Sequence, residues 1–277
     1  MAITVNTNTA ANSALIKLGQ TGRQLNKSFQ RISSGLRIAP AADDAAGLGV
    51  AENLKASYDS SKVAGRNIGD GISMVAVAEG ASSEVTSILG RIRELAVQSS
   101  SETLGTNERQ YIQDEYTQIA QEVDRIANVT SFNGMNLTDG SLSTLAVQVG
   151  VGNTVNDQVD ITLGDLRATT LAIDTGSIDL STAANASTAL TAIDAAISTV
   201  SQYRSHLGAA ENRLNSALNN LEVFGENTKS AESAIRDADF GEETANLSKW
   251  QIMQQAGVAV LAQAKNINQS VSQLLQN

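Results

Sequence analysis

The chain has 277 residues, a formal net charge of −10, one proline, no cysteine and only 3% aromatic residues. The absence of cysteine excludes disulfides, zinc–thiolate sites and thiol catalysis, and the negative charge argues against binding to nucleic acid. No run of roughly 18 apolar residues exists and the N-terminus lacks an apolar signal core, so neither membrane insertion nor a cleaved secretory signal is expected. The aliphatic, proline-poor composition is typical of helices packed side by side.

The first predicted element is a helix with a heptad pattern of apolar residues. Two sets of residues, each with a period of seven, alternate along it: Leu18, Leu25 and Ile32, and Leu15, Gly22, Phe29 and Leu36. Together they step by three and four residues, which is the spacing that keeps one stripe of a helix against a partner helix. The segment therefore predicts a helix built for pairing.

The interior predicts three further helices and a β-hairpin. One helix starts near Asp43 and Asp44, which are good N-terminal residues, and ends near Gln98; the others cover roughly 112–126 and 190–221. Alternating apolar residues at 145–151 and 159–163 predict a hairpin at about 142–165. Residues 175–188 are rich in Ser, Thr, Ala and Asn and indicate a surface connection.

The last predicted helix repeats the heptad pattern of the first. Its two sets are Met253, Val260, Ile267 and Leu274, and Trp250, Gly257, Ala264 and Val271. Neither terminal segment contains an acidic residue, because all 29 acidic residues lie between Asp43 and Glu243. Two acid-free seams at opposite ends of the chain predict that the termini pair with each other.

The sequence offers no catalytic, cofactor-binding or metal-ligating constellation. His206 is the only histidine, so a site built on paired histidines cannot form. The acid pairs Asp43–Asp44 and Asp237–Asp239 lie at predicted helix starts, where Asp satisfies free backbone N–H groups. A basic, amphipathic N-terminus also matches a transit peptide or a membrane-surface helix, but neither needs a matching seam at the far end. The chain is therefore interpreted as a structural protein and not as an enzyme, with no cofactor.

Several long motifs, in the same order along nearly the whole chain, resemble the bacterial flagellin family. They are LNKSFQRISSGLRIAPAADDAAGLGV from Leu25 to Val50, RIRELAVQ from Arg91 to Gln98, TSFNG from Thr130 to Gly134, RSHLGA from Arg204 to Ala209, DADF from Asp237 to Phe240 and QQAG from Gln254 to Gly257. The resemblance implies the subunit of an extracellular filament that serves swimming motility.

The resemblance also implies a domain arrangement, an export route and partners. Residues 1–42 with 236–277 would form an inner coiled-coil domain, and residues 43–174 with 189–235 a rod domain that carries the hairpin. The 175–188 connection would stand in place of large outer domains. Partners would be other copies of the chain, the flagellar type III export apparatus, an export chaperone and the filament cap, with export lacking a cleaved signal.

Two alternative roles accompany this interpretation. A hook–filament junction protein shares the terminal helices with flagellin. Flagellins sensed by Toll-like receptor 5 use a rod-domain motif that corresponds to Arg91 and Leu95, with an acid at Glu115, and this sequence has all three residues. The resemblance therefore implies receptor binding as a secondary role, although the same residues would also suit contacts within the rod.

Overall fold

The computed structural model describes residues 7–274, and the side chains of that range up to residue 266. In chain order its elements are α1 (Thr9–Ser34), α2 (Ala45–Ser99), α3 (Thr106–Val129), β1 (Ser131–Phe132), β2 (Met135–Asn136), β3 (Thr144–Gln148), a 3₁₀ turn (Val155–Asp157), β4 (Gln158–Thr162), α4 (Ala183–Arg236) and α5 (Phe240–Leu274). The predicted fold class, mainly α with long helices and a small hairpin, is confirmed.

The chain divides into two compact units. Unit 1 contains Met1–Ala56 and Asn227–Asn277, and unit 2 contains Ser57–Glu226. Both α2 and α4 run through the division without a break. The domain boundaries inferred from the sequence, next to residues 42 and 236, stay a prediction.

The core of unit 2 is an aliphatic layer contributed by α2, α3 and α4. On α3 the buried positions recur every three or four residues, as expected for one face of a helix; they are Ile112, Tyr116, Ala120, Val123 and Ala127. Fully buried partners on the other helices include Ile68, Leu89 and Ile92 of α2 and Ile193, Val200 and Leu207 of α4. Small and medium side chains let the helices lie close together, which accounts for the low aromatic content.

The hairpin β3–β4 packs one face on the helices of unit 2. Its antiparallel register places Val147 opposite Val159 and Leu145 opposite Ile161, and Val147, Val159 and Ile161 are buried. A Cβ on Gly71 of α2 would lie 3.2 Å from Val147 Cγ2. Gly71 therefore lets β3 pack closer to α2 than a residue with a side chain would allow.

The segment between β4 and α4 is fastened to α3 and is only partly on the surface. Tyr116 is fully buried, and its hydroxyl donates hydrogen bonds to the carbonyl oxygens of Ile173 (2.5 Å) and Asp174 (3.1 Å). Burial raises the pKa of Tyr116 far above its usual range, so the phenol is neutral. Within the predicted connection 175–188, Ile178 and Leu180 are buried and the last six residues belong to α4.

Candidate subunit interface

Unit 1 is built on an antiparallel pair of helices, α1 and α5. Contacts along the whole length of α1 define the direction of the pair. Asn8 Nδ2 donates to the carbonyl oxygen of Ala264 at 2.9 Å, and Arg31 Nη1 lies 2.8 Å from Glu243 Oε1 near the opposite end. These contacts join residues more than 200 positions apart, so the pair brings the two ends of the chain together.

One heptad set from each helix lies in the contact between α1 and α5. The buried and half-buried positions of α1 that follow the heptad are Ala14, Leu18, Thr21, Leu25, Ser28 and Ile32. On α5, Trp250, Gly257 and Ala264 are half-buried or buried, and a Cβ on Gly257 would lie 3.2 Å from Leu18 Cδ1. Leu18, Leu25 and Ile32 therefore face α5 of the same chain, and the small polar residues Thr21 and Ser28 lie on the same face of α1.

In the other heptad set of each helix, large apolar side chains are exposed to solvent. Leu15 and Phe29 are 57% and 64% exposed on α1, and Met253 and Val260 are 45% and 58% exposed on α5. Leu36, which was also predicted to belong to the N-terminal seam, lies beyond the end of α1, is half-buried and forms a β-bridge with Asp237. The predicted seam side chains of Ile267, Val271 and Leu274 lie outside the described residues.

Other large apolar side chains of the helix pair are exposed as well. Ile16, Ile252 and Val258 are each more than half exposed. Exposed apolar residues that occur singly are normal for a soluble protein, but several of them on one helix pair indicate a candidate site of interaction with another molecule. The arrangement therefore separates a stripe that holds the pair together from a stripe that is free to bind.

Ion pairs are concentrated at the end of the helix pair where α1 terminates. Arg31 and Glu243 pair there, and Lys27 Nζ lies 2.7 Å from Asp43 Oδ1. The hydrogen bond from Lys27 holds the pKa of Asp43 below its usual range, so this carboxylate stays charged at neutral pH. The rest of the pair, residues 7–26 and 244–266, contains cations and no acid.

Acidic residues singled out in the sequence serve as helix caps. Asp44 Oδ1 accepts from the backbone N–H of Gly47 at 2.9 Å, and Asp239 Oδ1 accepts from the N–H groups of Gly241 and Glu242 at 2.7 and 3.1 Å. Asp44 and Asp239 are therefore caps, as predicted, whereas Asp43 pairs with Lys27 and Asp237 Oδ2 accepts from Ser233 Oγ at 2.6 Å. Within residues 7–274, no group of three or more His, Cys, Asp or Glu side chains could hold a metal ion, and no helix is long and apolar enough to cross a membrane.

The three residues predicted for receptor binding lie together on unit 2. Arg91 donates to Glu115 Oε1 at 2.7 Å across α2 and α3, and it also lies 3.1 Å from Glu94. Arg91 and Glu115 are each about half exposed, whereas Leu95 is only 1% exposed and belongs to the core. The surface at this position is therefore formed by the ion pair, whereas Leu95 is part of the core.

Two family models match most of the chain. The bacterial flagellin N-terminal helical region matches residues 5–143, and the bacterial flagellin C-terminal helical region matches residues 190–275. A flagellin of Halalkalibacterium halodurans is 41% identical over 98% of this chain and 99% of its own length. A flagellin of Bacillus subtilis is 38% identical with the same coverage. The chain belongs to the bacterial flagellin family.

Further relatives connect this flagellin family member with filaments. The flagellar filament 33 kDa core protein of Treponema phagedenis is 36% identical over 98% of this chain and 99% of its own length. The crystal structure of Bacillus cereus flagellin has a TM-score of 0.50 and 29% identity, and the match covers 56% of this chain and 88% of that one. The function is therefore that of a structural subunit of the flagellar filament, and the comparisons do not favour a junction protein.

Proposed function

We propose that the chain enters the filament through the exposed heptad sets of the α1–α5 pair. The observation that carries this proposal is the exposure of Leu15, Phe29, Met253 and Val260 at heptad spacing, directly beside sets that pair inside the chain. Burying a large apolar side chain contributes about 1.5–3 kcal/mol relative to leaving it in water. Several such side chains per copy are enough to drive a repeated contact between copies.

The division into an inner domain and a rod domain belongs to the same proposal. Residues 1–42 with 236–277 would line the inside of the filament, residues 43–174 with 189–235 would form the rod, and residues 175–188 would take the place of outer domains. Family membership and the absence of acidic residues from both heptad seams support this arrangement. Export through the flagellar apparatus without a cleaved signal, a chaperone for the C-terminal helix, and addition under the filament cap are proposed on the same basis.

Seeded assembly of the purified chain tests this function. The full chain is expected to elongate filament seeds in high-sulfate buffer, because sulfate strengthens the burial of apolar surface. A chain without residues 1–40 lacks α1 and the partner of α5, and it is expected to stay in the supernatant after centrifugation. Elongation that is unchanged by this truncation would remove the terminal pair from the assembly mechanism.

We also propose receptor recognition as a secondary property. The exposed ion pair between Arg91 and Glu115 supports it, because a half-exposed guanidinium with neighbouring carboxylates is a surface that a protein partner can bind. Leu95 contributes through the packing beneath the pair. Recognition by Toll-like receptor 5 would then be incidental to a surface that the rod needs in any case.

Reporter cells that carry the receptor test this second role. Arg91→Ala is expected to lower signalling at least about tenfold, which is the effect of losing one charge-assisted hydrogen bond, and to leave filaments intact. Arg93→Ala is the matched control, because Arg93 is also half exposed and pairs with Asp194 at 2.7 Å. Loss of filaments together with signalling in the Arg91 variant would favour a purely structural role for the pair.

A further inference from the structure

A groove with cationic walls runs along one side of the α1–α5 pair. It consists of two adjoining depressions of about 430 and 370 Å³ that share Lys17, Thr21 and Met253. The larger depression is also lined by Gln20, Gln24, Arg23 and Trp250. An indole, a thioether, amides and two long cationic side chains make this surface suitable for an apolar group that is surrounded by negative charge.

The positive charge of the groove is not neutralised by the described part of the chain. Lys17 and Arg23 form no ion pair with any residue in 7–266. Lys249 adds a third cation, and its Nζ lies 5.0 Å from the centre of the Trp250 ring. Because neither helix carries an acid along this length, an acidic partner would gain from charge complementarity here.

The residues around the start of α5 complement the groove, because they combine an exposed aromatic side chain with negative charge. Phe240 is 55% exposed, and the exposed acids Asp237, Asp239 and Glu242 surround it in the sequence. The chain therefore presents one exposed aromatic side chain that three exposed acidic residues flank in the sequence. This acidic segment, Asp237–Glu242, matches the groove in both apolar and charged character.

The segment cannot occupy the groove of its own chain. Glu242 and Trp250 belong to the same uninterrupted helix, α5. Eight residues of α-helix separate them, which is about 12 Å at 1.5 Å per residue. An unbroken helix cannot fold back to bring these positions together, so the complementary groove must belong to another copy.

We propose that the acidic segment of one copy, with Phe240 at its centre, occupies the cationic groove of a second copy. This inference rests on the proposed function and names one of its contacts. The two surfaces are different parts of the same molecule, so the contact is heterologous and leaves a free groove at one end and a free segment at the other. A contact of this type generates an open polymer rather than a closed dimer.

Charge reversal tests the proposal in seeded assembly. Arg23→Glu and Glu242→Arg each place like charges at the contact, and each is expected to raise the critical concentration at least about tenfold. The double variant R23E/E242R restores opposite charges and is expected to return to within about threefold of the wild type. Lys55→Glu, which reverses an exposed cation of α2 outside the groove, serves as control and is expected to assemble normally.

Engineered cysteines give a direct measurement of the same contact. The chain contains no cysteine, so the variant Q24C/E242C has one thiol in the groove and one in the segment. Glu243 contacts Arg31 in the same chain, and Gln24 lies seven residues further along α1, about 10 Å of helix rise. A disulfide needs Cα atoms within about 7 Å, so the two cysteines of one chain are not expected to form one. Oxidised filaments of this variant are expected to give a ladder of covalent oligomers on denaturing gels, and single-cysteine variants are not.

The outcomes separate this contact from the wider function. If the wild type fails to elongate seeds, the proposed function fails. If the wild type elongates seeds, but the double reversal does not recover and the cysteine ladder is absent, the groove takes a different segment and this inference is overturned while the function stands. The same conclusion follows if Arg23→Glu assembles like the wild type.

Discussion

A chain that carries Leu15→Ser and Phe29→Ser is expected to fold as the wild type does and to lose filament growth. Both side chains are more than half exposed in the single chain, so their removal leaves the contact between α1 and α5 unchanged. If another copy covers them in the filament, each contributes about 1.5–3 kcal/mol when fully buried. A rise in critical concentration of at least about tenfold is therefore expected, since 1.4 kcal/mol corresponds to a factor of ten.

Leu18→Ala is the matched control, and it is expected to destabilise the folded monomer itself. Leu18 lies inside the α1–α5 pair and touches Gly257, so its truncation loosens unit 1 before any assembly occurs. Circular dichroism of the monomer and pelleting of the filament measure the two effects separately. Equal damage to the monomer by both variants would mean that the exposed set also holds the chain together.

Proline scarcity and apolar periodicity predicted that the long helices and the hairpin exist, but the helix predicted over roughly 190–221 extends in the structure from Ala183 to Arg236. Neither α2 nor α4 contains proline, and each continues for more than 50 residues, although α2 includes seven glycines. Alternation predicted both hairpin strands because one face of β3–β4 is buried. These features depend on local pattern, which the sequence contains in full.

Which of the two heptad sets on each helix faces the partner helix could not be predicted from the sequence pattern. A heptad pattern specifies a stripe, but Leu18 and Leu15 belong to neighbouring stripes of one helix and both are apolar. The structure places Leu18 against Gly257 and leaves Leu15 exposed, with Ala14, Thr21 and Ser28 completing the inner stripe. Small polar residues carry no apolar signal, so sequence reasoning missed them.

The segment before α4 was difficult for a related reason. Its Ser- and Thr-rich composition indicates a loop, yet Ile178 and Leu180 are buried, and the hydroxyl of Ser99 and the amide of Gln113 hold the backbone of Leu180. Local composition cannot reveal these partners, because they lie 81 and 67 residues away in the sequence. The same holds for Arg204, which pairs with Glu79 of α2 at 2.6 Å.

Gly257→Leu is expected to separate α1 from α5 and to abolish assembly. Even the first carbon of a side chain at this position would lie 3.2 Å from Leu18 Cδ1. Alanine needs only a small movement of that flexible methyl group and gains about 0.5–1 kcal/mol of helix propensity, so Gly257→Ala is expected to be tolerated. Leucine adds three further carbon atoms in the same space, and overpacking of this kind costs about 1–3 kcal/mol.

Gly22→Leu is the control that separates steric exclusion from the general effect of changing a helical glycine. Gly22 has the same heptad spacing on α1, but a Cβ there would meet no atom within 4 Å. The monomer is therefore expected to tolerate leucine at Gly22 and not at Gly257, as measured by Trp250 fluorescence and the thermal midpoint of unfolding. Filament growth of the Gly22 variant adds a second readout, because Gly22 lies between the exposed residues Leu15 and Phe29 in the same heptad set. If the Gly22→Leu monomer is as stable as the wild type but cannot grow filaments, another copy lies directly over Gly22 in the filament. If the Gly22→Leu and Gly257→Leu monomers are equally destabilised, the close contact between Leu18 and Gly257 does not determine the pairing of α1 with α5.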